Sequence, residues 1–126
     1  MMTFKEALDN YPRIALVGGP KTGKTTLSKQ VKDRPVIHGD DYKHMEWSQQ
    51  SEQLVALGKG RSSFLMEGVQ VPRALRKGLV VDAVVHCIRH WEVLTEGQDH
   101  MNDAVETIIK SWRSNNPDVP VILIDE

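Results

Sequence analysis

Cysteine is nearly missing from this sequence, and so is any long apolar run. Cys87 is the single cysteine, so no disulfide can form within one chain. No apolar stretch approaches the ~20 residues of a membrane span, and the first residues, MMTFKEAL, contain an acid and lack a signal-peptide core. We therefore expect a soluble, cytoplasmic protein that does not engage a membrane.

An imbalance of charge is lacking too, because the net charge is -1. The chain as a whole thus gives no case for binding nucleic acid. One segment differs, since residues 59–77 carry five cations and the single acid Glu67. This segment is expected to form a local basic face, with an ordinary solvated helix surface as the alternative. Its cations are Lys59, Arg61, Arg73, Arg76 and Lys77.

What the sequence does contain is a glycine-rich motif. Residues 18–25 read GGPKTGKT, which matches the pattern G-x-x-x-x-G-K-[ST] of phosphate-binding loops. The mostly apolar residues 13–17 precede it as a predicted strand, and residues 26–31 can continue it as a helix. An ordinary glycine turn is the alternative, but Lys24 and Thr25 stand at the two positions that phosphate chemistry requires.

The residue types of the motif indicate how it would bind a triphosphate. Gly18 and Gly23 can take backbone conformations closed to other residues, which lets the loop point its amides at phosphates. The start of the next helix adds a partial positive charge. Lys24 supplies a full charge to the terminal phosphates, and the Thr25 hydroxyl can ligate Mg²⁺. The residues expected to contact the nucleotide are Gly18, Gly19, Pro20, Lys21, Thr22, Gly23, Lys24, Thr25 and Thr26.

Strands and helices are predicted to alternate along the 126 residues, which suffice for one domain. Alternation of this kind favours a three-layer α/β/α sandwich around a five-stranded parallel sheet. The apolar spacing of residues 98–113 predicts a helix with one buried stripe that includes Met101 and Trp112. The predicted strands are residues 13–17, 36–38, 62–66, 81–88 and 119–124. The other predicted helices are residues 3–10, the segment from Asp41 to Gly58, and residues 72–77.

Acidic residues follow two of the predicted strands. Asp40 and Asp41 come after residues 36–38, and Glu67 comes after residues 62–66. Ligands of open parallel sheets bind beyond the carboxyl ends of the strands, so the acids and the glycine-rich loop are expected to share one crevice. Helix capping is the alternative for the aspartates. A shared crevice of this composition suits metal-assisted phosphoryl transfer.

These motifs together resemble those of small P-loop kinases of the nucleoside and nucleotide kinase type. Residues 36–42, VIHGDDY, resemble the Asp-Asp-aromatic motif of uridine kinases and nicotinamide riboside kinases, and residues 64–69, FLMEGV, resemble their Glu-Gly motif. The resemblance implies an ATP- and Mg²⁺-dependent kinase with Lys24, Asp40 and Glu67 as catalytic residues. Asp40 would be the general base, and Asp41 would contact substrate. Thr25, Asp40 and Glu67 would bind the metal.

The chain also departs from that family. Such kinases carry an arginine-rich lid after the fourth strand, whereas Arg89 and His90 are the only basic residues of this sequence between positions 89 and 98. Their adenine-holding loop follows the last strand, where this sequence reads Asp125-Glu126. A reduced lid and a truncated adenine-side loop are therefore expected, with Arg89 or Trp91 as candidates for holding the base.

A narrower similarity concerns the acceptor. Very short lidless kinases of bacteriophages look similar around residues 67–76 and 94–98, and members of that group phosphorylate 5-hydroxymethyluracil in DNA. The resemblance implies DNA as the acceptor, with Arg73 and Arg76 as substrate-binding residues and a target base that leaves the stack to reach Asp40.

Two alternatives to this function stay open. The acceptor can instead be a free nucleoside or a similar small molecule. From a different class, the chain can be a nucleotide-binding switch that hydrolyses slowly and has no acceptor. The five histidines are better explained as ordinary surface or core residues than as a metal centre.

Overall fold

Strands and helices alternate along the described part of the chain. The structure is a computed structural model that describes residues 2–125; Met1 and Glu126 lie outside the described residues. The strands are β1 Arg13–Gly18, β2 Val36–His38, β3 Phe64–Glu67, β4 Ala83–Cys87 and β5 Val121–Ile124. The helices are α1 Phe4–Asn10, α2 Lys24–Ser28, α3 Trp47–Gly58, α4 Val71–Arg76 and α5 Glu96–Asn115, with a 3₁₀ helix at Gly39–Tyr42.

The five strands form one sheet in the order β2-β3-β1-β4-β5, and every neighbouring pair is parallel. The expected five-stranded parallel sheet is therefore confirmed. β1 lies at the centre, so the loop that follows it emerges between the carboxyl ends of β3 and β4. β2 and β3 are in register such that His38 lies opposite Glu67.

Side chains that alternate along β1 point to two separate apolar layers. Ala15 and Val17 pack with α3, α4 and α5 on one face of the sheet. Ile14 and Leu16 pack with α1 and α2 on the other face. Helices thus cover both faces, and the arrangement has the three α/β/α layers that the sequence predicts. β4 is buried along its whole length, as expected for a strand covered on both sides.

The helix after the glycine-rich loop is shorter than expected. α2 ends at Ser28, not at Val31, because the chain tightens into turns in which the amides of Gln30 and Val31 bond the carbonyls of Leu27 and Ser28, three residues back, at 3.0 and 3.2 Å. A helix of five residues has few aligned peptide dipoles. Most of any anion binding must therefore come from the loop itself.

Local hydrogen bonds also shift other boundaries. α5 starts at Glu96, two residues before the predicted start, because Thr95 and Gln98 form a reciprocal capping box. β5 starts at Val121, since the Val119 amide is used in a turn with Asn116 O at 3.2 Å and Pro120 has no amide hydrogen.

The buried stripe of α5 is confirmed in part. Val105, Ile108, Ile109 and Trp112 are buried, but Met101 is 37% exposed. Trp47, the first residue of α3, is 53% exposed. None of the helices in residues 2–125 is long and apolar enough to cross a membrane.

Candidate functional site

The loop after β1 owes its shape to left-handed backbone at two positions. Lys21 has φ 62° and Gly23 has φ 83°, and only the glycine adopts such a conformation without a steric cost. Left-handed residues of this kind let backbone amides converge on an anion. Gly18 is needed for a different reason than the expected backbone freedom, because a Cβ there would lie 2.8 Å from both Cys87 O and Thr22 Oγ1.

The Lys24 side chain folds into this loop. Its Nζ donates hydrogen bonds of 2.8 Å to Gly18 O and to Gly19 O, and the residue is only 9% exposed. Burial lowers the pKa of the Lys24 ammonium from its ordinary value, while the nearby Cys87, Glu67 and Asp40 act in the opposite direction. A cation is thus held among loop carbonyls, close to acidic groups and with little water around it.

The two acids that follow β2 and β3 meet this loop in one cavity. The central cavity, of about 210 Å³, is lined by loop residues 21–26, by Asp40 and by residues 67–69. Glu67 is 4% exposed at the end of β3, whereas Asp40 is exposed in the 3₁₀ helix after β2. The structure therefore brings together Lys24, Thr25, Asp40 and Glu67, as the positions of these residues after the strands predict.

Glu67 has a partner that the sequence analysis missed. His38 Nδ1 lies 2.8 Å from Glu67 Oε1, and the pairing of β2 with β3 sets these residues side by side. A sequence signal exists, since His38-Gly39 and Glu67-Gly68 repeat one pattern at adjacent strand ends. The glycines allow the approach, because a Cβ on Gly68 would lie 3.1 Å from Gly39 Cα.

Asp41 is not brought to the same place. It is exposed and does not line the central cavity as described, although it adjoins Asp40 in the 3₁₀ helix. The side chain is therefore available to solvent, and direct contact with a group bound in the central cavity is unsupported by the geometry.

A second cavity lies beside the central one. The Trp47 cavity, of about 190 Å³, is lined by Pro20, Trp47, Val69, Arg73, His100, Met101, Ala104 and Val105. Val69 lines both cavities. The Arg73 guanidinium carbon lies 5.0 Å from the centroid of the Trp47 ring, a cation–π distance. The partial exposure of Met101 and Trp47 is thus explained, because both face this cavity.

None of the other four cations of residues 59–77 lines the Trp47 cavity with Arg73. Arg76 lines a different cavity near Trp112, Lys77 bonds Ser48 O at 3.0 Å and pairs with Glu52 at 3.8 Å, and Arg61 bonds Leu57 O at 2.6 Å. Arg73 and Arg76, the two cations of α4, thus line different cavities, and the local basic face stays a prediction. Of the two cations predicted to bind substrate, Arg73 borders the Trp47 cavity, whereas Arg76 does not.

The connecting segment, residues 88–95 between β4 and α5, lies against the loop. Trp91 donates its backbone amide to Lys21 O at 2.8 Å, and His90 Nδ1 lies 2.8 Å from Pro20 O. The Arg89 guanidinium carbon lies 4.1 Å from the centroid of the Trp91 ring. The segment contains no helix or strand. Its Trp91 and Glu92 line the Trp91 cavity, of about 440 Å³, together with Lys21, Gly23, Thr26, Leu27 and Gln30.

The central cavity offers oxygen donors for a hard cation. No group of three or more His, Cys, Asp or Glu side chains in residues 2–125 forms a protein-only metal cage. Mg²⁺ does not need one, since it is usually held by one or two carboxylates, a hydroxyl, waters and phosphate oxygens. The Thr25 hydroxyl and the carboxylates of Asp40 and Glu67, which line one cavity, fit that donor set.

One buried polar group near the site is also unexpected. Gln70, which precedes α4, is 2% exposed, and neither Nε2 nor Oε1 of its amide has a hydrogen-bond partner among residues 2–125. A buried amide without partners costs on the order of 1–3 kcal/mol. Nothing in the sequence marks this residue, because its burial depends on how α4 packs.

None of the family models compared with this chain matches it, and no curated protein is significantly similar to it in sequence. What the chain does is therefore inferred from its own residues and their geometry.

Proposed function

We propose that this protein is a P-loop kinase that uses ATP and Mg²⁺ to phosphorylate a hydroxyl group. The observation that carries the proposal is the central cavity, where the buried ammonium of Lys24 shares walls with Asp40 and Glu67. The loop follows the central strand of a parallel sheet, which is where ligands of such sheets bind. The P-loop type of the fold is part of this proposal.

In this proposal the loop and Lys24 hold the triphosphate. The ammonium exchanges its contacts with Gly18 O and Gly19 O for oxygens of the terminal phosphates, and the left-handed backbone at Gly23 shapes the anion site. Thr25, Asp40 and Glu67 would hold Mg²⁺, which when bound neutralises charge on the phosphates. His38, 2.8 Å from Glu67, fixes the orientation of that carboxylate.

Transfer then requires a base on the acceptor side. The acceptor oxygen attacks the γ-phosphorus and forms the new O–P bond, while the bond from phosphorus to the bridging oxygen of ADP breaks. Asp40 accepts the proton that the acceptor hydroxyl loses. This role suits Asp40 better than Glu67, because Asp40 is exposed and can be reached by an acceptor, whereas Glu67 is buried and bonded to His38.

The acceptor proposed first is the hydroxymethyl group of 5-hydroxymethyluracil in DNA. The Trp47 cavity supports a planar acceptor, because its aromatic ring and the Arg73 guanidinium can border a base. The connecting segment lies against the loop, which leaves the Asp40 side open to a large substrate. The base would have to leave the helical stack to enter.

The test is transfer of labelled γ-phosphate to three acceptors. They are duplex DNA containing 5-hydroxymethyluracil, the matching thymine duplex, and the free hydroxymethyl nucleoside. We expect label in the first duplex and none in the second. Label in the nucleoside alone would move the acceptor class to small molecules. Nucleotide hydrolysis without transfer to any hydroxyl would contradict the kinase and favour the switch.

A further inference from the structure

The Trp91 cavity adjoins the central cavity but contains no acid from the strand ends. Lys21, Gly23 and Thr26 line both cavities, so a molecule bound by the loop can extend directly from one into the other. The volume of about 440 Å³ lies within the usual range of small-molecule sites, roughly 300–1,000 Å³. Its mostly apolar wall includes Leu27 and the Trp91 ring.

Two contacts position Trp91, one through its backbone and one through its ring. Its backbone amide is bonded to Lys21 O at 2.8 Å, which ties the residue to the loop. The Arg89 guanidinium lies over the ring at 4.1 Å, yet Arg89 does not line the cavity. The ring is 55% exposed, which is unusual for an indole unless it has a role at a surface. A positioned, accessible aromatic surface therefore stands beside the loop.

Polar groups at the rim complete the cavity. Thr26, Gln30 and Glu92 border it, and Glu92 also pairs with Lys21 at 3.6 Å. Hydrogen-bonding groups at the edge of an apolar cavity are what a heteroaromatic ring with a sugar requires, since the ring faces are apolar and its edges polar. A purely aliphatic ligand would leave these groups unused.

We infer that the Trp91 cavity binds the base of the nucleotide, with the heteroaromatic ring stacked on the indole of Trp91. The inference rests on the proposed function, because the occupant is identified through the phosphates that the loop would hold. It adds that the connecting segment, with Trp91 and Arg89, supplies the base site. Glu92 and Gln30 are then the groups placed to contact the sugar or the edge of the base.

The test compares the binding of ATP with that of inorganic tripolyphosphate, both with Mg²⁺, by titration calorimetry. Tripolyphosphate occupies the loop but has no base. We expect wild type to bind ATP about tenfold more tightly than tripolyphosphate, since stacking on one aromatic ring contributes on that order. Trp91→Ala should remove most of this ratio while tripolyphosphate affinity stays within about twofold. Trp91→Phe, which keeps a ring, should retain most of it.

Val93→Ala is the matched control, because Val93 is in the same segment and 97% exposed; it should behave as wild type. Equal binding of ATP and tripolyphosphate by wild type would overturn the base site and leave the phosphate loop intact, and this measurement needs no variant to fold. Equal losses for both ligands in Trp91→Ala would also overturn it, because the indole would then act only by supporting the loop at Gly23, beside which it lies. Failure of wild type to bind either ligand would instead overturn the proposed function.

Discussion

Two tryptophans flank the glycine-rich loop, and each is covered by an arginine. Trp47 and Arg73 lie at helices α3 and α4, with 5.0 Å between guanidinium carbon and ring centroid. Trp91 and Arg89 lie in the connecting segment, at 4.1 Å. Both rings are about half exposed. The likeness ends there, because the first pair is built on packed helices and the second on irregular backbone tied to the loop.

The difference bears on what each side can bind. The Trp47 cavity meets the central cavity at Val69, near the Asp40 side where an acceptor would enter. The Trp91 cavity meets it at Lys21, Gly23 and Thr26, within the loop itself. We interpret the first as the acceptor side and the second as the nucleotide side. Substitutions that affect nucleotide binding and acceptor binding differently test this assignment.

The largest effect is expected at Lys24, because any acceptor receives the phosphate that this side chain would hold. Lys24→Ala should reduce transfer to background, because the side chain supplies the charge for the terminal phosphates. Labelled-phosphate transfer measures it, and circular dichroism checks that the variant is folded. Turnover at the wild-type rate in a folded variant would contradict the kinase.

Asp40→Asn should act chiefly on the acceptor side. We expect turnover to fall about a hundredfold or more, since an amide keeps the shape of the carboxylate but cannot accept a proton. ATP affinity measured without Mg²⁺ should stay near that of wild type, because Asp40 would act on the nucleotide only through the metal.

Asp41→Asn is the control, because Asp41 does not line the central cavity as described. Turnover should change little. A larger loss for Asp41→Asn than for Asp40→Asn would show that the base has been assigned to the wrong residue.

Arg73→Ala should separate the two sides by substrate. We expect the KM for the acceptor to rise about tenfold, as estimated from one cation–π and charge contact, with little change in ATP affinity. If the acceptor is DNA, binding by wild type should also weaken steeply with salt. Arg76→Ala is the matched control on the same helix, because Arg76 lines a different cavity. Identical effects of the two variants would argue against an acceptor role for the Trp47 cavity.

A smaller effect on stability is expected from Gln70, which lines neither tryptophan cavity. Gln70→Leu should raise the free energy of unfolding by about 1 kcal/mol, because it removes a buried amide without partners. Urea denaturation measures the change. A destabilised variant would contradict the expectation that the amide only costs stability.

The smallest expected effect concerns pH. Burial lowers the pKa of His86, with Glu106 opposing and Lys24 adding to the shift. The folded state then binds fewer protons than the unfolded state, so stability should fall as pH drops below the ordinary histidine pKa of about 6.5. Thermal unfolding at pH 7.5 and 5.5 tests this, and the loss should be smaller in His86→Phe. An equal loss in both proteins would assign it to other groups.

Sequence patterns predict the fold of this chain well but the first and last residues of its helices and strands poorly. Parallel strands follow from the alternation of apolar stretches with helices, and β2 matches its predicted range because His38-Gly39 ends it sharply. The end of α2 and the starts of α5 and β5 depend on turns and caps such as the one between Thr95 and Gln98. These bonds compete with regular structure over one or two residues, which periodicity does not resolve.

The candidate site likewise has parts that the sequence predicts and parts that it does not. Lys24, Asp40 and Glu67 were predictable to lie together, since the glycine-rich loop and the two acids each follow a predicted strand and parallel strands end at one edge. The contact of His38 with Glu67 was not, because it depends on the register between β2 and β3. The directions of Arg73 and Arg76 likewise depend on how α4 packs. Side chains three positions apart on a helix can still border different cavities.

The sequence by itself determined the local chemistry: a loop with Gly23 where left-handed backbone is needed, a lysine and a threonine at its end, and acids after two strands. Only the tertiary structure decided which groups face one another, including His38 with Glu67 and each tryptophan with its arginine. The physical reason is that backbone preferences act over a few neighbouring residues, whereas strand register and helix packing are set by contacts between distant parts of the chain.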